Sequence, residues 1–264
     1  MTGRRDALDP AERRVAVRRR YAALATGGSC CEDSSRDASA TEPRDLGYSP
    51  ADLDAAGSVD ASLGCGNPTG VAEIEAGDTV LDLGSGAGFD CSIAAREVGP
   101  DGHVIGVDMT PEMVERAREN VARDGDPTVE FRLGEIEHLP VVDASVDLVV
   151  SNCVVNLSPE KHRVFEEAHR VLRPGGRLVV SDVVLTAELP ADLRTDPESV
   201  AACVGGAALV PELESMLTAA GFVDVSVEPK AESCEFVDEW DPDRDLGDYV
   251  VSTTIIGKKP ASGG

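Results

Sequence analysis

The stretch TVLDLGSGAGFDC at residues 79–91 decides the fold. It reads as a short apolar strand, Thr79–Leu83, running into a glycine-rich turn, Gly84-Ser85-Gly86-Ala87-Gly88. A helix, Phe89–Val98, follows, with Gly99 just past its end. Glycine has no Cβ, so such a turn lets a ligand approach backbone N–H groups at a helix N-terminus. In an open α/β sheet this place is the carboxyl edge of the strands, where ligands bind.

The pattern continues outward. His103–Val107 reads as a second strand ending at Asp108, 20 residues after Gly88. Thr110-Pro111 opens a helix, Thr as N-cap and Pro at the first helical position, with Met113, Val114, Ala117 and Val121 as its apolar stripe. Val129–Leu133 and Val146–Val150 are strands three and four. Ser158-Pro159 repeats the cap for a helix lined by Val164, Phe165, Ala168, Val171 and Leu172. Pro174-Gly175-Gly176 turns into a fifth strand, Arg177–Val184. Strand and helix alternating at this spacing imply a doubly wound α/β fold, a parallel sheet with helices on both faces. Beyond it, Pro211–Ala220 reads as a helix stopped by Gly221, and Phe222–Val227 and Tyr249–Ile256 as two more strands. An acidic excursion, Glu228–Asp248, lies between them with Cys234 and Trp240.

Residues 1–26 read as an amphipathic helix with Asp9 as cap and Pro10 at its first position. Arg13, Arg14, Arg18, Arg19 and Arg20 make it basic, either a solvated face pairing with acidic neighbours or a lid over a site. Residues 27–45, rich in Ser, Asp and Gly, read as a flexible connection.

Charge narrows the partners. Of 264 residues, 49 are Asp or Glu and 24 are Lys or Arg, a formal charge of −25 that repels nucleic acid and anionic membranes. Only 4 of the cations are Lys, and an acidic, Lys-poor surface suits a high-salt cytosol that screens self-repulsion. No apolar run is long enough to span a bilayer and no apolar leader is visible, so the expected compartment is the cytoplasm. The core is aliphatic, since 42% of residues are hydrophobic and 3% aromatic.

Seven cysteines in such a chain favour thiol chemistry or metal binding over structural disulfides. There is no Cys-x-x-Cys, so any thiol cluster must be assembled by the fold. Cys91 reads as a small buried hydrophobe in the helix after the glycine turn. Cys65 lies in the loop Leu63-Gly64-Cys65-Gly66-Asn67-Pro68, Cys153 directly after strand four, and Cys203 in Cys203-Val204-Gly205-Gly206-Ala207 after strand five. His162 and His169 share a helix face and read as surface residues.

The turn has the spacing G-x-G-x-G rather than the dinucleotide G-x-G-x-x-G, and Asp82 precedes it. With Gly134-Glu135-Ile136-Glu137 after strand three and Ser151-Asn152 after strand four, it resembles class I S-adenosylmethionine-dependent methyltransferases. The resemblance implies that Asp82, Gly84, Ser85, Gly86, Gly88, Asp108, Met109, Glu135, Ile136 and Ser151 bind S-adenosylmethionine, with Asp108 on the ribose hydroxyls. Three thiols near a methyl donor suggest a soft, thiophilic acceptor.

More closely, the chain resembles arsenite methyltransferases over residues 45–260, on LGCGNP at 63–68, VLDLGSGAGFDC at 80–91, VIGVDMTPEM at 104–113, GEIEHLP at 134–140, SNCVVNLSPEKHRVF at 151–165 and CVGGA at 203–207. That family methylates trivalent arsenic. The resemblance implies that Cys65, Cys153 and Cys203 bind arsenic(III), and that the Cys30–Cys31 neighbourhood supplies a further thiol for redox exchange in later methylations. It also implies a glutathione-like or thioredoxin-type reductant, and arsenite and methylated arsenicals as substrates. The expected division is an N-terminal helical lid and Cys-bearing segment (1–60), a Rossmann-like cofactor core (61–185), and an arsenic-binding region with closing strands (186–264). Two rival readings are a methyltransferase of a small organic acceptor, which would not need Cys65, and a thiol-based arsenical binder without turnover, which would not need the glycine turn.

Overall fold

The apolar run at 79–83 is a strand because both its faces are covered. A computed structural model describes residues 9–26, 44–57, 59, 64–190, 193, 203–230, 233, 237 and 246–261, and places that strand inside a mixed sheet. The strands are β1 (Thr79–Leu83), β2 (His103–Asp108), β3 (Val129–Leu133), β4 (Val146–Asn152), β5 (Leu172–Leu185), β6 (Ala208–Leu209), β7 (Val223–Pro229) and β8 (Val250–Lys258). Their order is β3-β2-β1-β4-β5-β8-β7, with β6 beside β5. β1 to β5 pair in parallel as expected, and β8 and β7 close the sheet antiparallel.

Side-chain alternation sorts the core into two layers. Val80, Val104, Leu148, Val150 and Val179 pack on Cys91, Ala94, Val98, Val114 and Ala117 of α3 (Phe89–Val98) and α4 (Pro111–Asp124). Leu81, Leu83, Val107, Val149, Leu178 and Val180 share the other layer with Val164, Phe165, Ala168, Leu213 and Leu217 of α5 (Lys161–Val171) and α6 (Val210–Ala219). The architecture is a doubly wound α/β sheet with helices on both faces. All the strand ends that carry chemistry therefore emerge on one edge.

Several local expectations are corrected. β5 starts at Leu172, not Arg177: the pairing steps from Val146↔Leu172 to Leu148↔Arg177, so Pro174, which has no N–H for the ladder, and Gly175 bulge out of the strand. Ser158 does not cap α5, whose N-cap is Glu160; its hydroxyl instead donates to the buried Glu137 carboxylate at 2.6 Å. Thr110 precedes α4 as expected but makes no side-chain cap bond. His162 is exposed as expected, whereas His169 is half-buried, its ring packed edge-on against Phe222 with centroids 5.2 Å apart. At the N-terminus, α1 spans Pro10–Ala25, and the Asp9 carboxylate caps it by accepting from the Ala11 and Glu12 N–H groups at 2.8 and 3.1 Å. A short α2 (Pro50–Ala56) packs near α3. The linker expectation for residues 27–43, and those for Cys30, Cys31, Leu63, Cys234 and Trp240, fall outside the described residues.

Net charge acts on this fold through salt. Self-repulsion reaches about 10 Å at 0.1 M salt and about 3 Å at 1 M. The thermal midpoint, followed by circular dichroism, is therefore expected to fall as KCl is lowered from molar to 0.1 M levels; a midpoint independent of KCl would contradict the reading of the acidic surface as an adaptation to high salt.

Candidate functional site

The glycine turn is built for close approach. Gly84, Gly86 and Gly88 have φ of +68°, +51° and +92°, a region that disfavours side chains. A Cβ on Gly84 would run into Val154, and one on Gly88 would sit 2.8 Å from the Phe131 ring. The N–H groups of Gly84 and Ser85 donate to the Val107 carbonyl at 2.7 and 3.1 Å, tying the turn to the end of β2. There Asp108 accepts from Gly86 N–H at 3.0 Å and from Thr110 N–H at 2.8 Å. Burial pushes its carboxyl up, and these donors pull the other way.

A cavity of about 70 Å³ opens beside the turn, lined by Gly84, Gly86, Asp108, Met109, Ile136 and Glu137, and from α1 by Arg14, Val17 and Tyr21. Five of the expected cofactor residues thus share one wall: Gly84, Gly86, Asp108, Met109 and Ile136. The others lie around it. Asp82 is buried beneath the turn, with Cys91 Sγ donating to it at 3.3 Å. Ser85 directs its hydroxyl toward Gly106, and Ser151, fully buried, donates to the Leu83 carbonyl at 3.2 Å. Gly88 begins α3, and Glu135 faces Arg14 and Arg18 at 3.6 and 3.7 Å.

α1 lines the cavity, and its arginines pair with acidic neighbours, the first of the two expectations for them. Arg14 reaches Glu160 at 2.7 Å and Glu137 at 3.4 Å. Arg13 donates to the Leu157 carbonyl at 3.0 Å and to that of Asn156. Arg116 holds the far end through the Leu24 and Ala25 carbonyls at 3.1 and 3.2 Å.

Next to the cavity the fold assembles the thiols. Cys65, Cys153 and Cys203, from three distant segments, pack in one buried cluster with Val17, Leu157 and Tyr21. Cys65 and Cys153 are joined as a disulfide, with Cα atoms 5.7 Å apart, contrary to the expectation against such bonds. The reason is local: two loops far apart in sequence converge at the carboxyl edge of the sheet and bring the two thiols together. Cys91 is fully buried, as expected, and Cys203 is the other thiol outside the disulfide among the described residues. Cys153 and Cys203 have φ of +54° and +70°. Left-handed backbone at a non-glycine residue costs on the order of 1–3 kcal/mol and persists where the surroundings enforce it. The clamps are visible: Cys153 N–H donates to the Ser181 carbonyl at 2.8 Å, and Cys203 Sγ donates to the Cys153 carbonyl at 2.7 Å.

One side chain not assigned a role from the sequence joins these parts. Asn152, last residue of β4, accepts from Cys65 N–H at 2.9 Å and donates to the Gly66 carbonyl at 2.8 Å. It also donates to Tyr48 Oη at 3.0 Å and to the Asp90 carboxylate at 3.2 Å, and Tyr48 donates to Asp90 at 2.6 Å. Burial raises the Asp90 pKa to about 6 against these bonds. The motif SNC marked the place, but contacts with residues 104 and 86 positions away leave no trace in the sequence.

The electrostatics of the thiols differ from a thiolate trap. Burial and then Asp182 push the Cys203 thiol well above its ordinary value, while Arg20, Arg13 and Lys161 pull it down. Lys161 is itself lowered to about 8, by burial and then by Arg13. Asp182, likewise not singled out from the sequence, is raised to about 6 by burial. A site of this kind favours chemistry that leaves no net charge on sulfur.

Comparison with known proteins agrees with the geometry. A family model described as a methyltransferase domain matches residues 74–221. An arsenite methyltransferase of Halobacterium salinarum is 57% identical over 96% of this chain and 68% of that protein. The human arsenite methyltransferase is 42% identical over 54% of this chain, which spans 40% of that protein. Among solved structures, an arsenic(III) S-adenosylmethionine methyltransferase from Chlamydomonas reinhardtii superposes with a TM-score of 0.66 at 37% identity, over 82% of this chain and 75% of that one.

The contact of Gly64 with Asn152 gives a test. A Cβ at Gly64 would run into the Asn152 amide. Gly64→Ala should displace Asn152, release the Cys65 loop and slow Cys65–Cys153 disulfide formation under mild oxidant by roughly tenfold, since hydrogen bonds of about 1 kcal/mol each are lost. Peptide mapping by mass spectrometry reads the rate, and a wild-type rate would show that Asn152 does not hold the loop.

Proposed function

The chain belongs to the arsenite methyltransferase family, and on that premise we propose that it transfers the methyl group of S-adenosylmethionine to trivalent arsenic held by Cys65, Cys153 and Cys203. The observation that carries this reading is the packing of these three sulfurs, 88 and 50 residues apart in sequence, in one buried cluster at the edge of the glycine-turn cavity.

The residues around the cavity fit the cofactor. The Asp108 carboxylate lines the cavity, held by the N–H groups of Gly86 and Thr110, and would accept from the ribose hydroxyls there. The bare backbone at Gly84 and Gly86 would receive the amino-acid end, and Met109 and Ile136 would flank the adenine. Small-molecule sites run to about 300–1,000 Å³. The space under α1 is about 70 Å³, so the lining of the cavity would open to admit the cofactor. Once bound, S-adenosylmethionine supplies a sulfonium methyl with a good leaving group.

Arsenite is neutral at cellular pH. Each thiol proton leaves with an arsenic hydroxyl as water, so three As–S bonds form without a free thiolate. This suits a site where burial raises the Cys203 pKa. The arsenic lone pair is then the nucleophile, and it carries no proton to be removed. No general base is required; the chain contributes alignment, an effect with a large potential rate gain. Cys30 or Cys31, with a glutathione-like or thioredoxin-type reductant in the cytoplasm, would return arsenic to the trivalent state between methylations.

Arsenic speciation after incubation with arsenite, S-adenosylmethionine and a thiol should show methylated arsenic; none from the wild-type chain would end this reading. Cys153→Ser should abolish methylation and leave cofactor binding intact by calorimetry. Asp108→Ala should raise the cofactor Kd about 10–100-fold, the loss of hydrogen bonds to a charged group, with arsenite retention kept. Replacing Cys30 and Cys31 together with Ser should slow later methylations more than the first.

A further inference from the structure

Around the Cys65–Cys153 pair, the nearest third ligating atom is an oxygen. Cys65 Sγ, Cys153 Sγ and a carboxylate oxygen of Asp182 lie within 4.8 Å of one another, and all three residues are buried. Cys203 is turned aside, its Sγ engaged with the Cys153 carbonyl at 2.7 Å. Asp182 is 1% exposed and fixed in place. Its Oδ1 accepts from Asn156 Nδ2 at 2.9 Å and Val183 N–H at 2.8 Å, and its Oδ2 accepts from Asn156 N–H at 3.0 Å. Three donors leave about one of its four lone-pair sites open. A rigid acceptor facing two sulfurs suits a hydroxyl borne by whatever those sulfurs hold.

Resting on the function proposed above, we propose that Asp182 accepts a hydrogen bond from the hydroxyl that arsenic keeps after Cys65 and Cys153 have bound it. In the chain whose Cys65–Cys153 bond has been reduced by a dithiol, arsenite exchanges two hydroxyls for two sulfurs. Each thiol proton leaves with one hydroxyl as water, and arsenic stays trivalent. The third hydroxyl remains on arsenic and donates to Asp182. Cys203 then leaves the Cys153 carbonyl, its proton departs with that hydroxyl as a third water, and the third As–S bond forms.

This makes Asp182 a reader of the third hydroxyl. Methylarsenite has two hydroxyls, and two thiols consume both, so it offers Asp182 nothing. A residue that only anchors the loop through Asn156 would affect both substrates alike. The test uses the full-length, reduced chain, with arsenic retained after desalting and single-turnover rates measured for arsenite and for methylarsenite. Asp182→Asn and Asp182→Ala should weaken arsenite capture about tenfold or more and change methylarsenite capture by less than about twofold, as for a lost hydrogen bond to a charged group. Equal losses for both substrates, or no loss for arsenite, would overturn the proposal. A wild-type chain that retains neither arsenical would instead overturn the function on which it rests. As a variant that leaves Asp182 in place, Cys203→Ser loaded with arsenite should show two sulfurs and one oxygen around arsenic by X-ray absorption. Three sulfurs there would also overturn it.

Discussion

The amide of Asn152 is the joint on which the site depends. It stands at the carboxyl end of β4, next to Cys153, and one side chain satisfies the Cys65 N–H, the Gly66 carbonyl and the buried Tyr48–Asp90 pair. Asp90 lies in the first turn of α3, which the glycine turn starts. One planar group thus fixes the Cys65 loop relative to the glycine turn. Positioning is the main catalytic resource of a reaction that needs no proton transfer at the nucleophile. The backbone strain at Cys153 and Cys203 belongs to the same arrangement: both left-handed residues are held by the contacts of the buried thiol cluster.

The charge of the chain works against thiolate formation. A net −25 raises the cost of any thiolate, and Asp182 lies within 4.8 Å of two of the sulfurs. Hydroxyl-for-thiol exchange on a neutral acid avoids that cost, because no intermediate with a free sulfur anion is needed. The local balance is also more favourable than the global one. Arg13, Arg20 and Lys161 cluster on the Cys203 side, two of them carried by α1. The basic helix supplies to the site what the acidic surface withholds.

Much of the fold was legible because it rests on periodicity. Val80 and Leu81 face opposite layers, as do Val149 and Val150, and the alternation shows in the sequence. The edge that collects ligands follows from strand direction alone, so Gly84, Asp108 and Cys153 could be placed on it before any contact was known. Departures came where side chains chose distant partners over local ones. Ser158 gave up the α5 cap for Glu137, and His169 found Phe222. Pro174-Gly175 bulged within β5 because pairing with β4 resumes on the far side. Asn152, seen only as part of a motif, and Asp182 drew no role from the sequence, because their residue types are common and their contacts exist only in the folded chain.

α1 links the two halves of the site mechanically. Its Arg13 holds the carbonyls of Asn156 and Leu157, and Asn156 in turn makes two of the three hydrogen bonds on Asp182. Its Val17 and Tyr21 touch both the cofactor cavity and the thiol cluster. A movement of α1 large enough to admit the cofactor therefore removes a support from the segment that follows Cys153. One helix thus carries both the residues that line the cavity and those that support the segment after Cys153.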